Sequence, residues 1–304
     1  MGVTVQSPQT TKPPAAWARR WMYPLAVSSL AVNILIVVTG GVVRLTASGL
    51  GCPTWPRCSD KSFVPHQELG LHGAIEFGNR MVTFLLAAVA IATFVAALKY
   101  GRRSVVRLSV VLALGVPAQA LVGGVTVLTD LNPWIVAFHL LVSMAMIQAA
   151  VILLRRLREG DGAPVSTVPA PLVWLARTTF VAGWAVLYLG TVVTGSGPHA
   201  GDLDAPRNGL DPAALSQLHT DAVFLLVGLT VGSLFAMRAV SAPDRAVRAA
   251  GTLLVIELAQ GLVGFVQYFT GLPVVLVGFH LLGSALVSAG LAWLLVGVRD
   301  RPVV

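Results

Sequence analysis

Charge is the scarcest property of this chain. Only 11% of its 304 residues are Asp, Glu, Lys or Arg, against about 25% in soluble domains. That shortage excludes an ordinary soluble fold. Acidic side chains are scarcer still, 13 against 21 basic ones. Cysteine is almost missing: Cys52 and Cys58 are the only two, and with no histidine pair beside them they are too few for a zinc site. The first 20 residues lack a short apolar core with a cleavage site, so they read as a polar tail and not as a signal peptide.

What fills the chain instead is apolar. It is 56% hydrophobic, with a mean hydropathy of +0.79. Eight stretches reach the length of about 20 residues that crosses a bilayer: roughly 22–44, 72–98, 104–127, 134–155, 172–194, 216–238, 247–269 and 273–297. The expected fold is therefore an all-α polytopic membrane protein.

The net charge of +8 does not point to nucleic acid, because the basic residues collect in particular loops. With the N-terminus inside, 16 of the 21 fall on the cytoplasmic face, among them Arg19, Arg20, Arg102, Arg103, Arg155, Arg156, Arg245 and Arg299. Only Arg44, Arg57, Lys61, Arg80 and Arg207 fall on or near the other face. This bias predicts both termini in the cytoplasm of a cell whose plasma membrane holds the chain. Cys52 and Cys58 then lie outside, where disulfides persist. A bridge closing the short loop between spans 1 and 2 suits their spacing, and two unpaired thiols are the alternative.

The chain nearly repeats itself around a histidine. Residues 118–144 and 259–285 align at a constant offset of 141, with fourteen of 27 positions identical. The identities include Gln119/Gln260, Gly123/Gly264 and the FHLL strings that carry His139 and His280. Phe84–Leu86 matches Phe224–Leu226 at an offset of 140. A repeat of this kind decides the architecture. Spans 1–4 and 5–8 form two halves of like orientation, related by a pseudo-twofold axis along the membrane normal. The expected boundaries are a tail at 1–21, an N-terminal four-helix bundle at 22–155, a polar Gly- and Pro-rich linker at 156–171, a C-terminal four-helix bundle at 172–298 and a tail at 299–304. Two long outer loops, 45–71 and 195–215, put the elaboration on the extracytoplasmic side.

A histidine deep in an apolar run needs a hydrogen bond or a metal. His139 and His280 lie six or seven residues into spans 4 and 8, His219 opens span 6 and His72 opens span 2. Facing imidazoles from two helices of a four-helix bundle are the usual way to hold a haem. A hydrogen-bonded packing role is the alternative for each; the loop residues His66 and His199 read as surface histidines. Glu76 shares a helical face with His72 and Arg80. A carboxylate in lipid needs a partner or a role, and Arg80 is the available partner. Glu257 is a second buried acid. Arg44 and Arg80 sit near the outer interface, where a guanidinium suits a haem propionate or simply snorkels.

These residues resemble those of haem A synthase, of the cytochrome oxidase assembly family, in the form typical of high-GC Gram-positive bacteria. The strings that carry the resemblance are TGGVVRLTASGLGCPTWPRC, IEFGNR, the FHLL of span 4, SGPHAGD, LHTD and GFHLL, spread over 20–298. The resemblance implies oxidation of the C8 methyl of haem O to a formyl group, giving haem A, by a protein that also carries haem b. It implies haem b on His219 and His280 in the C-terminal half. It places the substrate haem in the N-terminal half, on His139 and with His72 as the other candidate ligand, with Glu76 as catalytic acid/base or cation-stabilising group. It further implies an outer-loop disulfide, and as partners haem O synthase (the farnesyltransferase) and the cytochrome oxidase assembly apparatus; a homo-oligomer is left open. One departure stands out. The family pattern E-x-x-H-R appears as Glu76-Phe77-Gly78-Asn79-Arg80, with Asn79 at the histidine's place and His219 at an offset of 140 from it. Either His72 substitutes from two turns away, or the substrate haem has His139 alone.

Two other functions compete. A b-type cytochrome with two haems, acting only as electron carrier, explains the histidines but gives Glu76 no work. A transporter fits parallel repeats, but Pro117 in span 3 is the only clear candidate for a broken helix.

Overall fold

The computed structural model describes residues 15–65 and 70–303. Among these residues the chain forms eight helices long and apolar enough to cross a membrane: α1 (Ala16–Leu45), α2 (Gly70–Tyr100), α3 (Arg103–Leu128), α4 (Pro133–Leu157), α5 (Ala170–Ser196), α6 (Pro212–Ala239), α7 (Asp244–Phe269) and α8 (Val274–Gly297). The protein is an all-α multi-pass membrane protein. His66 and the N-terminal tail up to residue 14 lie outside the described residues.

Most of the apolar runs are lengthened, by one to six residues at an end, because helix caps and not the hydrophobic limit decide where the backbone stops. Asp211 caps α6 by accepting from the amides of Ala213 and Ala214 (2.7 and 3.0 Å), with Pro212 in the first turn. His219 was expected to open this span; the cap instead places it two turns inside. Asn132 caps α4 in the same way, accepting from Trp134, and Pro133 follows it. Pro117 and Pro24 are carried inside α3 and α1 without ending either helix.

The packing order follows the repeat. Helix α1 packs on α2, α2 on α3, α3 on α4 and α4 back on α1; α5, α6, α7 and α8 close a second ring in the same order. The rings meet through α4 on α8, flanked by α1 on α8 and α4 on α5. A twofold axis that exchanges α1–α4 with α5–α8 maps the first contact onto itself and the two flanking contacts onto each other. Leu281 of α8 packs directly on Gly41 of α1. The Ser288 hydroxyl, fully buried, donates to the Met144 carbonyl across the seam at 3.0 Å.

The hairpin turns repeat as well. Leu131 and Leu272 both take a left-handed backbone (φ 59° each), preceded by Asp130 at 50° and Gly271 at 76°. Each leucine amide reaches back to its helix, Leu131 to Thr126 O at 2.8 Å and Leu272 to Gln267 O at 2.7 Å.

Both bundles are tightly packed at the end that carries the termini. There the N-terminal bundle closes on Met22, Ala26, Ala96, Ala97, Val105, Leu112 and Leu153. The C-terminal bundle closes on Ala176, Leu234, Met237, Ala246, Ala250, Leu253 and Leu294. Small residues let the backbones approach, the usual device where lipid offers no hydrophobic drive. The opposite ends are different. Among the described residues, α6 buries nothing before Leu226, α7 nothing after Glu257 and α8 nothing before Gly283. In the N-terminal bundle, α2 buries nothing between Glu76 and Leu86, α3 nothing between Val116 and Gly124, and α4 nothing between Ala137 and Met144. Each bundle thus has few buried residues in the half away from the termini, and the histidines lie at that level.

The linker is held against the C-terminal tail while residues 163–166 stay exposed. Residues Val165–Ser166 (β1) pair antiparallel with Arg299–Asp300 (β2) just beyond α8. Gly160 N and Gly162 N donate to Arg301 O and Pro302 O at 2.9 and 3.1 Å. Arg155 bridges Glu159 (2.6 Å) and Asp300 (3.2 Å), and Arg245 reaches Asp300 at 2.9 Å. The tail is therefore fastened between the ends of α4 and α7. Neither strand carries a hydrophobic pattern that would have revealed it.

Candidate functional site

Each half builds the same cradle from a helical hairpin. His139 is the seventh residue of α4 and His280 the seventh of α8. Gln119 on α3 donates to the His139 carbonyl at 3.1 Å, and Gln260 on α7 donates to the His280 carbonyl at 2.7 Å. The ring of each histidine lies against a glycine of the neighbouring helix. A methyl group on Gly123 would sit 3.3 Å from Cε1 of His139, and one on Gly264 would sit 3.4 Å from Cε1 of His280. Any side chain there would press on the imidazole. His219, on α6, rests in the same way on Gly190 of α5, with Cε1 at 3.2 Å from where a Cβ would be.

The Nδ1 atoms of His139, His219 and His280 are all buried and have no hydrogen-bond partner among the described residues. Buried polar atoms are nearly always satisfied. In all three rings Nδ1 is turned into the protein, which leaves Nε2 as the nitrogen free to meet a ligand. The glutamine role was missed in the sequence, although its identity within the repeat was the available signal.

The N-terminal half lacks the fourth ring. Asn79 of α2 stands where α6 has His219, and its Oδ1 accepts from the Thr39 hydroxyl of α1 at 2.7 Å. Gly40 occupies the place of Gly190 at an offset of 150, in the matching strings Gly40-Gly41-Val42-Val43 and Gly190-Thr191-Val192-Val193. A Cβ on Gly40 would meet nothing within 4 Å.

The N-terminal hollow also has a roof. Cys52 and Cys58 form a disulfide in the loop after α1. Inside that loop, Trp55 lays its indole on Gly124 of α3, one residue from the glycine under His139. Glu76, 5% exposed, fastens the loop from below: Oε2 accepts from the Cys52 amide at 2.5 Å and Oε1 from Arg80 at 2.6 Å. Arg80 donates further to the carbonyls of Cys52, Thr54 and Arg57. The pairing of Glu76 with Arg80 was expected; its hold on the disulfide loop was not legible, because nothing in the sequence says which loop amide reaches a helix.

The remaining candidates lie elsewhere. His72, in the first turn of α2, is exposed, and its Nδ1 bonds the Ser48 hydroxyl at 2.9 Å, so the structure does not bring it to His139. Arg44 spends its guanidinium on carbonyls across the seam, His199 O at 2.6 Å and Thr194 O at 2.9 Å. His199 in turn bonds Leu272 O at 2.9 Å, which makes it a staple of the outer loops. Glu257 lies on α7, its Oε1 accepting from Thr230 at 3.0 Å and its Oε2 buried without a partner among the described residues.

Residues 23–74 and 71–201, more than half of the chain, match the family described as cytochrome oxidase assembly protein. The chain belongs to that family. Within the cytochrome oxidase assembly family, it is similar to a heme A synthase from Geobacillus thermodenitrificans, at 33% identity over 35% of this chain and 33% of the relative. It is 30% identical to a heme A synthase from Lysinibacillus sphaericus over 57% of this chain and 58% of that one. A heme A synthase of Listeria monocytogenes serotype 4b matches at 27% over 47% and 48%. The aligned segments thus span between 33% and 58% of these curated relatives' own length.

Proposed function

We propose that this protein is a haem A synthase, an enzyme of haem biosynthesis that oxidises the C8 methyl of haem O to a formyl group. The observation that carries the reading is the twice-built cradle: a glutamine-held histidine on a glycine bed, facing an outer hollow, in a family whose similar members bear that name. The residues fit haem. With Nδ1 turned into the protein, each of the three imidazoles would offer Nε2 to iron, and few residues of α6, α7 and α8 are buried at that level.

In this reading His219 and His280 hold haem b in the C-terminal half. Haem b supplies one-electron redox chemistry when bound. His139 holds the substrate haem in the N-terminal half, its ring orientation fixed by Gly123 and its backbone by Gln119. The roof formed by Trp55 and the Cys52–Cys58 loop keeps water from the reacting methyl group. Glu76 lies at the rim of that hollow with both oxygens already bonded. Such a carboxylate suits the stabilisation of positive charge developing at the methyl carbon. Arg80 orients it. Arg44 is proposed as a brace between the halves and not as a propionate contact, since carbonyls already occupy it. The chain would sit in the plasma membrane with both termini cytoplasmic, receive substrate from haem O synthase and deliver product to cytochrome oxidase assembly. A two-haem electron carrier would not need the difference between His219 and Asn79, and no observation favours it.

The test is expression in a host that makes haem O but not haem A, followed by chromatography of the extracted pigment. A formyl-bearing haem supports the enzyme. Haem O and haem b alone, with protein present in normal amounts, would overturn it.

A further inference from the structure

We propose that the N-terminal haem site has a single protein ligand, His139, and that the face opposite it is a docking place for a small diatomic ligand, floored by Asn79, Thr39 and Gly40. This rests on the haem reading above and deepens it.

The repeat locates the face. In the C-terminal half the two rings come from α6 and α8, helices that lie diagonally in the ring α5–α6–α7–α8. The pseudo-twofold axis carries α6 onto α2 and α8 onto α4. It therefore sets position 79 across the bundle from His139, as His219 is set across from His280. What stands at position 79 is too short to do what His219 does. The imidazole of His219 reaches its glycine, with Cε1 3.2 Å from a Cβ on Gly190, whereas a Cβ on Gly40 would meet nothing within 4 Å. The bed for a second ring exists in the N-terminal half and no ring lies on it.

The polarity of that face is also set. Asn79 is half-buried, and its carboxamide oxygen is engaged by the Thr39 hydroxyl at 2.7 Å. That bond orients the amide so that Nδ2, which makes no hydrogen bond among the described residues, is the end left free. An amide N–H across from an axial histidine is a donor for the far atom of a ligand on iron. Distal polarity, donors and steric access are the features that decide whether haem iron accepts a diatomic molecule. His72 does not fill the place. It is exposed, bonded to Ser48 and seven residues up the helix, about 10 Å along the axis.

The two halves thereby become different kinds of haem site built on one plan. The C-terminal one is closed on both faces by histidine and would ignore carbon monoxide. The N-terminal one is open on one face and would bind it.

The experiment uses the full chain, purified from the host that makes haem O, with carbon monoxide as probe. Absorption difference spectra of the dithionite-reduced protein with and without carbon monoxide are read beside the low-temperature electron paramagnetic resonance spectrum of the oxidised protein. The expected result is a high-spin ferric signal with a carbon monoxide difference spectrum, both retained in His280→Ala and both lost in His139→Ala. In Asn79→His, the high-spin signal should convert to a second low-spin one and carbon monoxide binding should be lost, with total haem content unchanged. Asn79→Leu should keep carbon monoxide binding while shifting the carbonyl stretching frequency in the infrared, because the donor is gone and the open face is not. A wild-type protein with two low-spin haems and no carbon monoxide response would overturn the inference and leave the haem reading standing. A protein in which His139→Ala changes no haem signal at all would overturn both.

Discussion

The histidine-bearing halves of the two bundles share a plan and differ in what closes them. Both present a histidine on a glycine bed, held from behind by a glutamine. The C-terminal hollow adds a second ring, His219, on a glycine of its own. The N-terminal hollow substitutes Asn79 and adds a roof of Trp55 and a disulfide loop pinned by Glu76. Duplication preserves what architecture needs, namely the hairpin turns, the glutamine and the glycine beds. What was free to diverge is what touches or covers the bound group. A site closed by two strong ligands suits a resident group that only changes charge. A site with one ligand, a polar face and a lid suits a group that must react and leave.

The largest effect that separates the halves is loss of a ligand. His219→Ala or His280→Ala is expected to remove the low-spin haem b spectrum, since each imidazole supplies half of a bis-histidine pair. His139→Ala should leave that spectrum in place and stop formation of product. Optical spectra and pigment chromatography of purified variants check both; the reverse pattern would exchange the roles assigned to the two halves.

Next comes the residue the repeat does not copy. Position 216, the counterpart of Glu76, is a serine. Glu76→Gln keeps shape and removes charge. Haem b content should stay near normal while conversion of haem O falls by about 100- to 1,000-fold, the range typical of a removed electrostatic stabiliser. The ratio of haem O, hydroxylated haem and haem A in membranes reports it. Wild-type amounts of haem A would reduce Glu76 to a fastening for the loop.

The roof offers a gentler test. Trp55→Ala removes the indole from Gly124 without touching an imidazole. Carbon monoxide should recombine faster after flash photolysis at the N-terminal site than in the protein with Trp55. An unchanged rate would show that the loop does not cover the site.

The smallest effect concerns the seam that both halves share. Ser288→Ala deletes one buried hydrogen bond to Met144, worth about 1 kcal/mol. A slightly lower midpoint of thermal unfolding in detergent is expected, with equal loss of both haem signals. Selective loss of one haem would mean that the seam supports the two hollows unequally.

Much of this was legible in the residues. Eight apolar runs and the offset of 141 are local or periodic signals, and they survive folding because a bilayer admits few alternatives. The depths of His139 and His280 followed from their runs. The depth of His219 did not, since the cap at Asp211 lengthens α6 past the polar stretch at which hydropathy stops. The partners of Arg44, His72 and Glu76 were beyond reach for a different reason. Each bonds a backbone or hydroxyl group in a loop, and loop backbones carry no periodicity that would announce which atom meets which. Gln119 and Gln260 lie between these cases. Their identity was visible in the repeat, but only the fold shows that they hold a carbonyl.

The ribbon of Val165–Ser166 with Arg299–Asp300 has a consequence for the order of assembly. Its second strand leaves the ribosome after all eight helices, whereas its first strand precedes α5. Domains generally form from the N-terminal end during synthesis. The N-terminal bundle can therefore insert and close its ring while the linker still hangs free, and the linker is captured only when residues 299–302 arrive. Gly160 and Gly162, whose amides donate to that segment, turn the connection into a latch that engages only after α8 has been made.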